Sequence, residues 1–223
     1  MQYKNIPYDC GIPRKENGKG DKKEMILNYE IRNARESIKT ELRELLKNCE
    51  RISADSRAEY VRNMPQGSIV IPDLFIYTDG AKTEIEKATT KARESIKATL
   101  DNIYDKVSEE VTAPPSQDAI NTIQLLKMRS DISESEFMLY ADKYKDNPLA
   151  NSLLQEIAKE KELKVDIEES KEMTLANNLV HFWEEIETSI TPYNAEKGNI
   201  SAISIVGLES DLNYVLGGEG DSE

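Results

Sequence analysis

The chain has few of the side chains that build reactive centres. Its 223 residues include two cysteines, one histidine and one tryptophan. The cysteines, Cys10 and Cys49, form no C-x-x-C pair, and the histidine, His181, stands alone between Val180 and Phe182. A zinc site needs clustered thiolate and imidazole donors, and no such cluster occurs. Sparse, unpaired cysteine fits a reducing compartment. No apolar run approaches the roughly 18 residues of a membrane span, and the N-terminus has no apolar stretch of the secretory type. The expected location is therefore cytoplasmic, with no membrane partner. Aromatics make up 6% of the chain, beside 10 glycines and 8 prolines. That scarcity argues against a compact mixed sheet and for long solvated helices. Positive charge is in the minority, with 29 Lys and Arg against 42 Asp and Glu and a net charge of −13. Such a chain repels phosphate backbones, so no direct nucleic-acid contact is expected.

An internal duplication is present. Ala34-Arg35-Glu36-Ser37-Ile38-Lys39 recurs unchanged as Ala92-Arg93-Glu94-Ser95-Ile96-Lys97. The apolar positions around each copy correspond as well: Leu27 with Ile85, Leu42 with Leu100, Leu45 with Ile103, Cys49 with Val107. Two long segments thus present the same apolar stripe, which suits packing on each other or on a shared partner.

Residues 1–21 hold Pro7, Gly11, Pro13, Gly18 and Gly20 and read as an N-terminal arm. Up to residue 23 this end carries Lys4, Arg14, Lys15, Lys19, Lys22 and Lys23 against Asp9, Glu16 and Asp21, a basic segment that suits an acidic surface. A helix is expected from near Asp21. Its stripe is Ile31, Ala34, Ile38, Leu42, Leu45, Cys49 and Ile52, with a bend where Ser53, Asp55 and Ser56 can cap a new start. Ser68–Tyr77 is the most β-like stretch, and Pro72 confines it to an edge strand or an extended arm. The second long helix covers about 81–111, with Ile85, Ala88, Ala92, Ile96, Leu100, Ile103, Val107 and Val111 on one face. Thr112–Ser116 is the clearest break. Beyond it, Ser116 caps one helix, Ser133 and Glu136 have capping-box spacing for a second, and Asn147-Pro148 opens a third. The Lys/Glu-rich run 159–172 reads as a solvated end or linker. A last helix spans about 169–190. Ile200–Val206 reads as strand-like or extended, Leu208–Leu216 as a short amphipathic docking piece, and the end as an acidic tail.

The fold class expected from this is mainly α. A long antiparallel helical pair occupies 22–113, with an extended β-like connecting segment at 68–77. A small helical bundle follows at 114–191, then an extended C-terminal segment with an acidic tail at 192–223.

No catalytic motif stands up. Gly18-Lys19 fails as a phosphate loop, because Pro13 replaces the first glycine and Gly20 the final Ser or Thr. Gly67-Ser68 lacks the helix that a nucleophile elbow needs. Asp73, Asp79, Glu84 and Glu86 are close in sequence, but as a turn residue, a helix cap and first-turn acids they need no chemistry to explain them. No catalytic, cofactor-binding or metal-binding residue is assigned. The candidate contact residues are apolar: Ile69, Ile71, Leu74, Phe75 and Tyr77 in the extended segment, and Ile203, Ile205, Leu208, Leu212 and Leu216 near the C-terminus.

The stretch Ser133-Glu-Ser-Glu-Phe-Met-Leu-Tyr-Ala-Asp-Lys-Tyr-Lys-Asp-Asn-Pro-Leu-Ala, with Leu154, Ile157 and Ala158 after it, resembles small helical proteins encoded among the head genes of tailed phages of Gram-positive hosts. The Glu/Lys-rich helical composition is similar to that of phage scaffolding and accessory head proteins. The resemblance implies a virion-associated or assembly role and carries over no catalytic residue.

The function expected is thus non-enzymatic: a structural or assembly protein that binds itself or a capsid-like lattice through apolar helix stripes and terminal arms, without a cofactor. Two alternatives remain. One is an acidic helical inhibitor on a basic protein surface, and the other is an enzyme with a carboxylate metal site.

Overall fold

The computed structural model describes residues 20–65, 76 and 78–217. These form eight helices and no strand: α1 (Gly20–Arg62), α2 (Asp79–Val111), α3 (Gln117–Met128), α4 (Glu134–Tyr144), α5 (Pro148–Glu160), α6 (Lys171–Ser189), α7 (Pro192–Glu196) and α8 (Ala202–Leu216). The mainly helical class follows directly. The β-like segment 68–77 lies outside the described residues except for Ile76, which is buried in the same core as α1 and α2.

Helix α1 runs 43 residues with no new start at Ser53–Ser56, on the order of 65 Å at 1.5 Å per residue. Ser56, one of the three anticipated caps, is 2% exposed and directs its hydroxyl elsewhere. It accepts the backbone N–H of Thr78 at 3.1 Å, tying the end of α1 to the start of α2. Thr78 in turn caps α2 by accepting from the Ala81 N–H. Asp79 is therefore a first-turn acid beside Lys82, not the cap.

The two stripes meet in one core. Ala34, Ile38, Leu42, Leu45, Cys49 and Ile52 of α1 are buried with Ile85, Ala92, Ile96, Leu100, Ile103 and Val107 of α2. Side chains later in α1 meet side chains earlier in α2. Glu30 contacts Lys106 at 2.8 Å, Glu41 accepts from Ser95 at 3.3 Å, and Arg51 contacts Glu84 at 3.6 Å. In this register the duplicated hexapeptides come together around Ile38-Lys39 and Ile96-Lys97. The two copies thus cross at their C-terminal ends, with Ala34 near the level of Ile103 and Ala92 near that of Leu45. Thr89 joins Ser56 as a buried polar residue with its hydrogen bond satisfied. Thr89 is fully buried, and its hydroxyl returns to the Ile85 carbonyl at 2.9 Å.

Helices α6 and α8 join the same core through Leu179, Phe182, Ile186 and Ile190, and through Ile205, Leu208, Leu212 and Leu216. Arg43 of α1 clamps Glu209 of α8 with a two-pronged bond, 2.6 and 2.9 Å. Lys97 of α2 lies 5.2 Å over the Trp183 ring of α6. The expected bundle 114–191 is therefore divided. Helices α3, α4 and α5 have their own core of Ala119, Ile123, Leu126, Phe137, Tyr144, Leu154 and Ile157, while α6 belongs with α1 and α2. The expected extended segment 192–223 is also corrected. Its described part contains α7 and α8, and Ile203, Ile205 and Val206 are helical. β-Branched residues there favour a strand only weakly. A reciprocal capping box at Ser201 and Ser204, followed by buried residues at helical spacing, overrides that preference.

The second core is pinned by a polar knot. Tyr144 donates to Asp118 at 2.7 Å, Lys143 donates to the same oxygen at 2.8 Å, and Thr122 lies 2.9 Å from the tyrosine hydroxyl. Lys143 first, and then Tyr144, hold the Asp118 carboxyl below its ordinary value. The capping box expected at Ser133 is half formed. Ser133 accepts from the Glu136 N–H, but the Glu136 carboxylate turns to Arg129.

Helix α5 ends in a Schellman turn, with Leu163 N–H on the Ala158 carbonyl and Glu162 N–H on the Lys159 carbonyl. Glu162 takes the left-handed position of this turn, with φ 54°. The same turn after α7 is filled by Gly198, φ 73°. Because an L side chain is strained there and glycine is not, Glu162→Gly is expected to stabilise the protein by about 0.5–1 kcal/mol. A urea denaturation midpoint that rises with unchanged slope checks this.

Candidate interaction surface

Helix α8 carries the most distinctive surface. Its inner residues Ile205, Leu208, Leu212 and Leu216 are spaced 3, 4 and 4 and buried at 4% exposure or less. Its outer residues Ile203, Val206, Ser210 and Tyr214 share the same spacing on the opposite side, and Ile203, Val206 and Tyr214 are 86%, 64% and 81% exposed. A surface helix ordinarily puts charge on its outer face. This one contains no lysine or arginine. Gly207 lies on the same exposed side, and a Cβ built there meets nothing within 4 Å, so another backbone can approach closely.

One edge of this face is acidic. Glu185 of α6 and Asp211 of α8 are hydrogen-bonded carboxyls. Partial burial, and then the Asp211 charge, pushes the Glu185 carboxyl upward. They line a cleft of about 400 Å³ together with Asn194, Asn199, Ser204 and Gly207. A raised carboxyl means that the folded state holds the proton more tightly than the unfolded chain does. The contact therefore stabilises below the ordinary glutamate value, near 4.3, and that contribution fades as pH rises through the folded value. As pH rises and the Glu185 carboxyl loses its proton, its charge meets that of Asp211 and the contact turns repulsive. Glu185→Gln is expected to stabilise the protein at pH 7 by a few tenths of a kcal/mol and to do little at pH 4. Paired thermal melts at the two pH values measure this.

Ile203, of the apolar residues expected to contact a partner, is on this face. Ile205, Leu208, Leu212 and Leu216 are consumed by the core of the chain itself. Ile69, Ile71, Leu74, Phe75 and Tyr77 lie outside the described residues. Val206 and Tyr214 were missed by tracing a single stripe through Leu208–Leu216. The signal for them was the apolar content of the whole helix, too high for one buried side. Other exposed apolar residues, Leu125 and Met128 on α3 and Leu139 on α4, belong to the second core's surface.

The remaining reactive candidates have ordinary settings. His181 is 77% exposed, 3.4 Å from Glu184. Cys49 lines a groove of about 760 Å³ between the end of α1 and the α7–α8 connection. Burial pushes its thiol up to about 11, which leaves it protonated and inert at neutral pH. Cys10 and Asp73 lie outside the described residues. Glu84 pairs with Arg51. Among the described residues no three of His, Cys, Asp and Glu converge as a metal site, and no helix is long and apolar enough to cross a membrane.

Comparison with known proteins finds no family, no curated protein and no solved structure that matches the chain.

Proposed function

We propose that this chain is a non-enzymatic assembly protein, which joins copies of itself or a larger protein lattice through the outer face of α8. In this reading α1 and α2 form a long antiparallel pair that serves as a stiff spine. The observation that carries it is the two-sided character of α8. One side is locked into the core, and the other leaves Ile203, Val206 and Tyr214 in water beside a glycine. Aligned exposed apolar residues on an otherwise charged molecule mark contact surfaces. The acidic charge keeps that surface from indiscriminate association. The most concrete version is a component of a phage head, which agrees with the resemblance carried by residues 133–158.

The test joins light scattering after size exclusion with a pull-down against the products of neighbouring genes. Oligomers, or retention by one of those products, are expected. Ile203→Asp is expected to weaken that association at least tenfold, because an aspartate in a desolvated apolar contact costs more than about 1.4 kcal/mol. It leaves the melting temperature unchanged, since Ile203 is solvent-exposed. A strict monomer retained by none of those products overturns the reading.

A further inference from the structure

From the surface of α8 and the acid pair along its edge, we infer that the occupant of this face is one basic amphipathic helix of another protein. The apolar stripe of that helix lies on Ile203, Val206 and Tyr214, and one of its guanidinium or ammonium groups enters the cleft beside Glu185 and Asp211. This rests on the reading of α8 as the contact surface and names the chemistry of what it binds.

Three observations converge. The first is unmatched charge. Glu30, Glu84, Glu209 and Asp118 each reach across to another helix, and each meets a cation there: Lys106, Arg51, Arg43 and Lys143. Glu185 of α6 and Asp211 of α8 meet each other instead. Among the described residues neither is in an ion pair, and α8 has no lysine or arginine to supply one. A cation brought by a partner favours the charged form of both carboxyls and turns a like-charge contact into an attractive one.

The second is shape. The exposed positions Ile203, Val206, Gly207, Ser210 and Tyr214 follow the helical period, so they form a strip roughly 16 Å long and 10 Å wide. Its middle is low, at Gly207 and Ser210, and its bulk stands at the two ends. A crossing helix fits such a strip by setting a ridge of side chains into the low middle. The strip is far smaller than the ~800 Å² per partner of a broad contact between globular surfaces.

The third is the position of the cleft. Gly207 belongs to the strip and also lines the cleft of about 400 Å³ that holds Glu185, Asp211, Asn194, Asn199 and Ser204. A helix that crosses at Gly207 therefore has one flank over the mouth of this cleft. A long cationic side chain on that flank lays its stem on apolar surface and carries its charge to the two acids. A second copy of this chain is a poor occupant, because it brings a net charge of −13 and an α8 without cations.

The probe that tests this is a synthetic helix of about 18 residues, with a leucine stripe and arginines along one flank. Two companion peptides keep the stripe and carry glutamine or glutamate in place of the arginines. Binding to the full-length chain is followed by the anisotropy of a dye on the peptide. The arginine peptide is expected to bind at least about tenfold more tightly than the glutamine peptide, and the glutamate peptide most weakly. Glu185→Gln combined with Asp211→Asn is expected to weaken the arginine peptide about tenfold and to leave the glutamine peptide unchanged. Asp142→Asn combined with Glu156→Gln removes the same two charges from exposed positions on α4 and α5. It is expected to change the affinity less than about twofold, which separates the cleft from the general attraction of a cationic peptide to an acidic chain. Thermal melts verify that both double variants are folded. Equal binding of the three peptides, equal losses in the two double variants, or no binding of any peptide overturns the inference. So does self-association that Ile203→Asp abolishes and the Glu185–Asp211 double variant leaves intact. That result makes a second copy the occupant, and the wider reading of α8 as a contact surface survives it.

Discussion

Leu212→Ala is expected to lower the unfolding free energy by about 3 kcal/mol, within the range for a buried leucine. The expectation rests on where α8 is placed. Leu212 is completely buried and packs in one core with residues of α1, α2 and α6. Truncating it removes buried apolar surface and leaves a hole that rigid neighbours fill only in part. The same substitution on a tethered helix, waiting in water for a partner, would change stability by a few tenths of a kcal/mol at most. Urea denaturation followed by circular dichroism decides between the two. A midpoint that does not move would mean that α8 is not part of the fold.

Phe137→Ala is expected to cost more, about 3–5 kcal/mol, and to do so locally. Phe137 is completely buried among Ala119, Ile123, Leu126, Tyr144, Leu154 and Ile157, and no residue of α1, α6 or α8 shares that core. The loss therefore falls on α3, α4 and α5. Because the two cores are separate clusters, the unfolding of the variant is expected to divide into two steps, which departs from a single cooperative transition. Hydrogen exchange read residue by residue checks it. Protection should collapse between Gln117 and Glu160 and persist in α2 and α6. Uniform loss across the chain would show that the two cores unfold as one.

These two residues also mark what the sequence made legible. Helix stripes were readable because burial on one side imposes a 3.6-residue period, and Phe137 lies on such a stripe. Caps at Ser116, Ser133 and Asn147 were readable because a side-chain oxygen there satisfies a backbone N–H that the helix cannot. Which stripe meets which was not readable. Leu179 and Phe182 of α6 carry no mark that sends them to α2 and not to α5, because apolar contact has no direction. Ser56 looked like a cap, and only the approach of Thr78 from 22 residues away explains why it stays in mid-helix. Ile203 and Val206 looked like a strand, since the capping box of Ser201 and Ser204 uses two serines where glutamate or glutamine is the usual partner. The burial of α8 was half legible. Of the α8 residues expected to meet a partner, Ile205, Leu208, Leu212 and Leu216 are buried in the core of the chain itself and Ile203 is exposed, a division the sequence does not mark because an exposed apolar residue and a buried one are the same letter.

The placement of Trp183 has a practical reach. The chain has a single tryptophan, and it is wedged between α6 and the Lys97 ammonium of α2. Its emission therefore reports on one junction only. A red shift will signal that α6 has lifted from the spine, whatever the state of α3 to α5, whose tyrosines are silent in that channel. The molecule comes with its own optical gauge for one half, and light at the tryptophan wavelength will stay constant while the other half melts.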